Sequence, residues 1–388
     1  MSKKNKRIKN NKSCKNINYI PALDKNIKAV INIGAIKHNM DYLRNTCGTD
    51  LMPVLKADAY GHGLIEIARI MRHLKVKYIG VATLGEAIML RNSGDKGRIL
   101  AWLYDIDGQE IIDAFKIDID IDISICDENT IPKFISLIPD NKIINVTVFV
   151  DTGINRAGVP YDKALDAFKL LNGTPKINIE GMMSHLVCSE IKNSPIVNEQ
   201  LRKFRELRKI LEDNGIKPPL VHIANTNGCI NYDVSDFTLS RSGSGLYGIT
   251  SGYRRDKNLR LPMTVKTNII QLKYVEKGSG IGYNWKYITP RKMRICVLPI
   301  GYADIIPRNT SLKLNVFING TKRKVLGAIS MDQIIAESTD SDKINDEVYI
   351  FGNGYDCPQT IQTISKLSNT IPLEILCRLG YRVNRTYV

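Results

Sequence analysis

A lysine that directly follows an apolar run is the first residue of this sequence whose position suggests chemistry. The run LMPVL (51–55) is typical of a buried strand, Lys56 comes next, and small residues lead to Gly63. Burial at a strand end penalises the charged ammonium and lowers the lysine pKa, which makes the amine available for imine chemistry. A lysine that follows a strand edge and extends its charged end into water is the alternative interpretation.

The elements around this lysine alternate between two patterns from about residue 28 to 250. The strand candidates are 29–33, 51–55, 78–83, 99–103, 118–123, 144–150, 177–183, 220–224 and 237–240. Segments between them, such as 64–74 and 199–214, carry apolar residues at helical spacing. Alternation of this kind predicts parallel strands with crossover helices, and the number of units favours an α/β fold of the TIM (β/α)8 barrel type over an open sheet. The chemistry of such barrels lies at the C-terminal strand ends, so Lys56 would point into the site.

The second half of the sequence has a different pattern. Strand-like runs recur at 263–276, 293–300, 312–318, 324–330 and 347–352 without long helical segments between them. This pattern predicts a C-terminal antiparallel β domain. We therefore divide the chain into a basic disordered tail (1–26), a barrel (27–252) and a β domain (253–388). The nine strand candidates of the first half are one too many for the barrel, and spacing does not say which is extra.

Composition narrows the classes of function. The net charge is +16, but seven lysines and arginines fall in the first 15 residues, which indicates a solvated tail, with polyanion binding as the alternative. The remainder shows neither zinc-finger spacing nor an aromatic and basic RNA-binding pattern, so we expect no specific nucleic-acid partner. The eight cysteines form no C-x-x-C pair and the five histidines have no metal-ligand spacing, so we expect free thiols and no metal. No apolar run is long enough to span a membrane and no secretory signal is evident, which predicts a cytoplasmic protein.

The segment that contains the lysine resembles a known signature. VLKADAYGHG (54–63) is similar to the pyridoxal-phosphate attachment site of alanine racemases, with Asp58 where asparagine is usual. The resemblance continues in order through most of residues 27–385. It implies a barrel that carries pyridoxal 5'-phosphate, a β domain that also takes the strand at 29–33, and a homodimer with active sites shared between subunits.

The resemblance also implies a set of cofactor-binding residues. These are Lys56, Tyr60, His185, Asn225, Thr226, Arg241, Gly243, Ser244 and Tyr381. Lys56 would form the Schiff base, while hydroxyls and backbone N–H groups around Gly243 would hold the phosphate. Arg241 would face the pyridine nitrogen with the support of His185, although alone they are more typical of a surface charge and a core histidine. An arginine at that nitrogen keeps it unprotonated, so side reactions such as transamination should be slow.

Racemisation needs an acid or base on each face of the Cα carbanion. The resemblance assigns one face to Lys56 and the other to Tyr283 of the partner subunit. Because free tyrosine has a pKa of about 10, a cationic neighbour must lower it, and the arginine aligned for this contact is Arg156. Alone, Tyr283 is simply one of 17 tyrosines. The residues implied in substrate binding are Arg156, Met331, Tyr302 and Asp332.

The sequence departs from the family pattern at two positions. Phe149 occupies the place, seven residues before Arg156, of a lysine that is often carbamylated and holds this arginine. Asn155 or a bound anion could orient Arg156 instead. Ala328 occupies the place of a common arginine, so a salt bridge at the entrance is absent. Both departures concern substrate affinity, and neither removes a catalytic group.

Taken together, the resemblance implies interconversion of L-alanine and D-alanine, which supplies D-alanine for peptidoglycan. A racemase of broader specificity, for serine or lysine, is the first alternative. A pyridoxal-phosphate decarboxylase is the second, but such enzymes typically carry glutamate where this chain has Arg241. A non-catalytic cofactor-binding protein would need no second base, so the pairing of Lys56 with Tyr283 argues against it.

Overall fold

The computed structural model describes residues 24–116, 121–250, 256–355 and 357–388. The predicted basic tail (1–26) lies outside the described residues up to position 23. So do the first three positions of the predicted strand 118–123. The description below concerns the remaining ranges.

The first half alternates strands and helices, as the sequence predicts. Its strands are β1 (Asp24–Ile31), β2 (Asp50–Pro53), β3 (Tyr78–Thr83), β4 (Arg98–Leu103), β5 (Ile121–Ile125), β6 (Ile144–Asp151), β7 (Val159–Pro160), β8 (Ile177–Met183), β9 (Leu220–His222) and β10 (Leu239–Ser242). Its helices are α1 (Ile33–Cys47), α2 (Lys56–Tyr60), α3 (Leu64–His73), α4 (Leu84–Asn92), α5 (Gln109–Lys116), α6 (Ile131–Leu137), α7 (Ala164–Asn172), α8 (Pro195–Asp213) and α9 (Thr226–Asn231). Short 3-10 helices occupy Glu128–Thr130, Tyr161–Lys163 and Ser244–Tyr247.

Parallel strands of this half close into a barrel. Strands β3, β4, β5, β6, β8 and β9 pair in that order, and β10 pairs with β2. Val54 forms a bridge to Gly80 of β3, which joins β2 to β3. The Arg241 N–H donates to the carbonyl of Ala224, which follows β9, over 2.9 Å and joins β9 to β10. Within the described ranges this closes eight parallel strands, so the predicted TIM barrel is confirmed.

Local sequence explains the layers. The five residues of β5 are all buried, as expected for a strand covered on both faces. In α3 the buried residues Leu64, Ile67, Ala68 and Met71 follow helical spacing. Helix α4 begins with a capping box in which Thr83 and Glu86 each accept from the other's backbone N–H. Helices of this kind cover the outside of the barrel and leave the strand ends to form a site.

Several strand predictions extend too far: besides 29–33 and 51–55, the runs 220–224, 293–300 and 324–330 end two to four residues early, at His222, Leu298 and Leu326. The run 29–33 is a strand only to Ile31, because the Asn32 side chain accepts from the Ala35 N–H over 2.8 Å and caps α1. The run 51–55 is a strand to Pro53, Val54 adds one bridge to Gly80, and Leu55 has left the extended conformation with φ −110° and ψ 17°. These errors lie at strand ends, where one polar cap or turn decides the boundary.

The second half is a mostly antiparallel sheet. Its elements are β11 (Met263–Asn268), β12 (Gln271–Val275), β13 (Gly280–Ile281), β14 (Tyr287–Ile288), β15 (Met293–Leu298), β16 (Asn315–Ile318), β17 (Thr321–Leu326), β18 (Ile334–Ser338), β19 (Glu347–Phe351), α10 (Ile361–Ser368), α11 (Pro372–Leu376) and β20 (Val383–Tyr387). The main sheet has the order β12-β15-β18-β17-β16-β19-β11-β1-β20. Strand β1 therefore lies in this sheet, antiparallel to β11 and parallel to β20. The predicted β domain is confirmed, with this one parallel pair and with strands β18 and β20, which sequence reasoning missed.

Each half has its own hydrophobic core. In the described part of the chain, the helices are too short or too polar to cross a bilayer. The same residues contain no cluster of three metal-ligating side chains.

Candidate active site

A cavity of about 200 Å³ opens at the C-terminal ends of the barrel strands. Nine of the residues singled out in the sequence line it: Lys56, Tyr60, Arg156, His185, Asn225, Thr226, Arg241, Gly243 and Ser244. Residues that sequence reasoning did not assign to the site complete the lining, namely Val54, Trp102, Met183, Asn227 and Leu373, together with Phe149. The location is the one in which barrel enzymes place their chemistry.

Lys56 begins an unusual backbone segment. The four residues that follow it, Ala57 to Tyr60, all have φ between 53° and 55°, which is the left-handed helical region. Each non-glycine residue in that region costs about 1–2 kcal/mol. Four in succession therefore cost roughly 4–8 kcal/mol, and specific contacts must hold the turn.

Two carboxylates hold this turn from the barrel side. Asp58 Oδ1 accepts from the Leu64 N–H over 2.7 Å. Glu86 Oε1 accepts from the Ala57 N–H over 2.7 Å, and its Oε2 accepts from the Ala82 N–H over 2.8 Å. Glu86 thus connects the residue after the lysine to the end of β3.

The surroundings of the Lys56 amine favour its neutral form. Burial lowers the pKa of Lys56, and the positive charge of Arg156 lowers it further. The Nζ atom lies 6.0 Å from the centroid of the Trp102 ring. A lysine with a lowered pKa is the form that reacts with carbonyl groups and exchanges protons near neutral pH.

Hydroxyl groups converge on the other side of the cavity. Thr226 Oγ1 lies 2.9 Å from Ser242 Oγ and accepts from Ser244 Oγ over 3.2 Å. Asn225 caps α9 by accepting from the Gly228 N–H over 3.0 Å. This region combines small residues with hydroxyl donors, which suits a phosphate group.

Gly243 allows Tyr60 to approach this region. A Cβ atom on Gly243 would lie 2.1 Å from the Tyr60 Oη. Tyr60 is 8% exposed, and burial raises the pKa of its hydroxyl. The hydroxyl therefore stays protonated and can donate a hydrogen bond at the glycine.

Arg241 is a buried cation without a carboxylate partner. Its Nη1 donates to the His222 carbonyl over 2.9 Å, and its Nη2 donates to the Ser184 carbonyl over 2.5 Å. Among the described residues, none of its hydrogen-bond or ion-pair partners is acidic. Burial accordingly lowers the pKa of Arg241 to about 10. The guanidinium is nevertheless charged at neutral pH, and its partners are all neutral.

Two histidines flank this arginine, and the one nearer to it was not predicted. The Arg241 Nη1 lies 2.5 Å from His222 Nδ1, whereas its Nη2 lies 3.4 Å from His185 Nδ1. Burial and the arginine lower the pKa of His185 to about 3 and that of His222 well below its usual value. Because a guanidinium only donates, His222 must accept through Nδ1 and is therefore neutral. The sequence signal for His222 was its place within a predicted barrel strand (220–224), and the structure ends this strand, β9, at His222.

Arg156 lies on the loop that follows β6. The Asp151 Oδ1 accepts from the N–H groups of Gly153, Ile154 and Asn155 over 2.8, 2.9 and 3.2 Å. This carboxylate shapes the backbone that leads to Arg156, and sequence reasoning did not single it out.

The floor beside Arg156 is apolar. Phe149 is 5% exposed and packs with Met52, Leu100, Met183 and Leu239. A charged carbamate at this position would enter an apolar cluster, whereas the phenyl ring completes it.

A second depression contains several of the other predicted residues. Tyr283, Met331 and Asp332 line it together on the β domain, and Tyr283 is 65% exposed. Asp332 pairs with Arg382 over 2.7 Å, and the Tyr302 N–H donates to the Ser330 carbonyl over 3.1 Å. None of these residues lines the Lys56 cavity of the same chain.

Two further positions lie apart from the Lys56 cavity. Tyr381 is 72% exposed in the single chain and does not line the cavity. Ala328 is buried, with 6% of its surface exposed. Its backbone lies next to Gly282: a Cβ added to Gly282 would be 3.6 Å from the Ala328 nitrogen and carbonyl oxygen.

The fold and the cavity define a class of protein. A closed parallel barrel whose C-terminal mouth holds a half-buried lysine and a buried arginine with no acidic partner among the described residues, followed by a β domain, is typical of a barrel enzyme. Models of the "Alanine racemase, N-terminal domain" and "Alanine racemase, C-terminal domain" families match residues 31–251 and 262–387.

Individual proteins agree with these models. An alanine racemase of Mycolicibacterium smegmatis is 32% identical over 377 residues, which cover 95% of this chain and 96% of that protein. One of Thermodesulfovibrio yellowstonii is 34% identical over 373 residues, covering 93% and 98%. Among solved structures, an alanine racemase of Clostridium difficile 630 superposes with a TM-score of 0.86 at 30% identity, covering 93% and 95% of the two chains. An alanine racemase of Bartonella henselae with covalently bound pyridoxal phosphate superposes with a TM-score of 0.80 at 28% identity, covering 95% and 100%.

The chain belongs to the alanine racemase family. The members of this family are isomerases.

Proposed function

We propose that this protein interconverts L-alanine and D-alanine with pyridoxal 5'-phosphate held on Lys56. The observation that carries the proposal is the pairing, in one cavity, of a lysine of lowered pKa with a buried arginine that has no described acidic partner. D-alanine made in this way would serve as a precursor of peptidoglycan.

The residues of the cavity fit the cofactor. Lys56 would supply the amine for its aldehyde, and Tyr60, Thr226 and Ser244, which line the same cavity, would supply hydroxyl donors for its phosphate. The absence of a Cβ at Gly243 leaves the space that Tyr60 enters. When bound, the cofactor supplies an electron-withdrawing ring that acidifies the Cα proton of an attached amino acid.

Arg241 favours racemisation over other reactions of such cofactors. Its cationic side chain can donate to the ring nitrogen but cannot give it a proton, because its pKa of about 10 far exceeds that of a pyridine. A decarboxylase-like arrangement would need a carboxylate at this place, and no described acidic side chain pairs with Arg241. His222 and His185, both neutral, hold the guanidinium without competing for its charge.

Arg156 and Lys56 have different roles toward the substrate: one binds its carboxylate and the other moves its Cα proton. The Arg156 guanidinium lines the cavity and is exposed to it, which suits a substrate carboxylate. The Lys56 amine then takes or returns the Cα proton on its own side. The apolar floor of Phe149, Met183 and Trp102 leaves little polar surface for a longer charged side chain, which favours alanine over lysine.

The opposite face requires a second chain. Tyr283, Met331 and Asp332 form a separate exposed depression, so in a homodimer this depression of one subunit would cover the Lys56 cavity of the other. Tyr283 would then be the second acid or base and Met331 would offer its backbone N–H to the carboxylate. Tyr302 would lie at the same entrance, and Tyr381 would reach the phosphate.

The test compares wild type with Tyr283→Phe in deuterium oxide. Loss of one general acid or base lowers rates by about 10²–10⁴-fold. Because the two enantiomers have equal free energy, racemisation should fall equally in both directions, while Lys56 should still exchange the Cα hydrogen of one enantiomer without inversion. Tyr274→Phe, which removes an exposed hydroxyl on β12, is the matched control and should behave as wild type.

Racemisation by Tyr283→Phe within twofold of wild type would refute the two-base assignment. Assays with serine, lysine and alanine under the same conditions decide the substrate range. Release of carbon dioxide would identify a decarboxylase, and binding of cofactor without hydrogen exchange would identify a non-catalytic protein.

A further inference from the structure

The C-terminal strand packs directly on the turn that begins at Lys56. Arg385 of β20 pairs with Asp58 through Nη2 and Oδ2 over 2.8 Å, and its Nε donates to the Gly61 carbonyl over 2.9 Å. The Arg385 side chain is only 16% exposed, compared with 51% for Asp58. One guanidinium therefore donates hydrogen bonds to both an acidic side chain and a backbone carbonyl of the same turn.

A second contact lies beside the first. The Tyr387 hydroxyl donates to the His62 carbonyl over 2.8 Å. A Cβ on Gly63 would lie 2.2 Å from this hydroxyl, and a Cβ on Gly61 would lie 2.0 Å from the Leu376 carbonyl oxygen. The C-terminal segment thus fits the turn so closely that no side chain could be added at either glycine.

Strand β20 is itself held in a fixed position. Arg385 is opposite Ala29 and Tyr387 is opposite Ile31 in the parallel pairing with β1. The Val388 N–H donates to the Ile31 carbonyl over 2.9 Å, and the Ile33 N–H donates to the Val388 carbonyl over 2.8 Å. Because β1 leads directly into α1 of the barrel, the strand that carries Arg385 is anchored to both domains.

The turn needs such support because its conformation is locally unfavourable. Ala57, Asp58, Ala59 and Tyr60 are all left-handed, and the residues themselves do not favour this region. Glu86 holds the start of the turn, and Asp58 joins the turn to the Leu64 N–H at the start of α3. From the β domain, Arg385 and Tyr387 hold the end of the turn at the carbonyls of Gly61 and His62. If this end is released, the turn can relax and the direction of the Lys56 side chain changes.

We propose that Arg385 and Asp58 are positioning residues for Lys56, and that the C-terminal strand sets how firmly the barrel retains its cofactor. This inference rests on the proposed function, because it concerns the lysine that would carry the cofactor. The acidic Asp58, where the related signature has asparagine, makes the contact an ion pair in this chain. Retention of the cofactor therefore depends on a charge contributed by the β domain.

The test measures release of the cofactor from the holoenzyme. Wild type, Arg385→Met, Arg385→Lys and Asp58→Ala are loaded with pyridoxal phosphate, and loss of the bound cofactor's visible absorbance is followed during dilution. We expect release at least about tenfold faster in Arg385→Met and Asp58→Ala, since each loses a charge-assisted hydrogen bond. Arg385→Lys should be intermediate, because a lysine can pair with Asp58 but cannot reproduce the fork of two donors.

Steady-state kinetics separate positioning from substrate binding. In these variants kcat should fall about tenfold while KM for alanine changes less than twofold, because no described hydrogen bond or ion pair joins Arg156 to Asp58 or Arg385. The matched control is Arg323→Met, which removes another arginine of the β domain, paired with Asp342 over 3.6 Å. It should lower the thermal stability but leave cofactor release within twofold of wild type.

Two results would overturn the proposal. The first is a folded Arg385→Met, or Asp58→Ala if Arg385→Met does not fold, with release and kcat within twofold of wild type. The second is an equal acceleration in Arg323→Met, which would show a general loss of stability. Because release does not depend on turnover, a wild type that binds cofactor but does not racemise alanine would refute the proposed function and still test the positioning residues.

Discussion

Gly243→Ala tests the fit between the phosphate region and Tyr60. The added Cβ would lie 2.1 Å from Tyr60 Oη, 2.7 Å from Cζ and 3.0 Å from Cε2. The hydroxyl must therefore retreat by roughly 1.3 Å to reach van der Waals contact. Tyr60 cannot move freely, because its backbone belongs to the left-handed turn and its ring lies 5.3 Å from that of Tyr247.

The magnitude follows from two effects. Overpacking a filled site costs about 1–3 kcal/mol, and loss of a hydrogen bond to a charged phosphate costs about 1.5–3 kcal/mol. The second effect alone corresponds to cofactor binding weaker by roughly 10- to 150-fold. We expect Gly243→Ala to bind pyridoxal phosphate that much more weakly and to unfold at a lower temperature.

The assay is equilibrium dialysis of apoenzyme against pyridoxal phosphate, with thermal unfolding of the apoenzyme measured in parallel. Tyr60→Phe removes the closest atom, so it should lose the hydrogen bond without the steric strain. In the double variant the Cβ would still be 2.7 Å from Cζ, so relief of the instability should be partial. A Gly243→Ala protein with wild-type affinity and stability would refute this account of the site.

Two further predictions concern substrate binding and pH. Asp151→Ala removes the acceptor of three backbone N–H groups before Arg156. The KM for alanine should therefore rise about tenfold, which corresponds to about 1.4 kcal/mol, while the control Asp233→Ala should leave it unchanged. An unchanged KM in Asp151→Ala would exclude a positioning role for this carboxylate. Burial lowers the pKa of His62 to about 3, so the unfolded chain takes up a proton below about pH 6.5 that the folded protein does not. The free energy that His62 contributes to folding is then fully present above that pH and falls by up to about 1.4 kcal/mol per pH unit below it. The buried His185 and His222 add to the same slope, so His62→Leu should make the slope of thermal unfolding between pH 7.5 and 5 shallower without removing it. An equal slope in His62→Leu and wild type would show that this histidine does not contribute.

Several features of the fold could be predicted because they are local. The alternation of apolar runs and helical spacing indicated parallel strands and crossover helices, and the barrel and the β domain are confirmed. Strand ends were less predictable: the Asn32 side chain caps a helix inside a predicted strand. Strand β18 (Ile334–Ser338) was missed between runs that were recognised.

The candidate site shows the same division. The apolar run LMPVL (51–55) drew attention to Lys56 and the residues after it, and the structure places Lys56 and Tyr60 in one cavity with Arg241. The preference of Arg241 for His222 over His185 was not visible in the sequence, because His222 and Arg241 lie 19 positions apart, on strands β9 and β10 with α9 between them. The sequence likewise did not show that Tyr283 lies in a separate depression on the β domain, outside the Lys56 cavity of the same chain.

By itself the sequence determined which groups are available: an amine after a buried strand, an arginine and hydroxyl groups at other strand ends, and a tyrosine in the second half. These follow from residue types and short-range spacing. Only the tertiary structure decided how the lysine is aimed, because the left-handed turn from Ala57 to Tyr60 is locally unfavourable. Its contact with Arg385 joins residues 327 positions apart, and a pairing at that distance arises only when β20 lies beside β1.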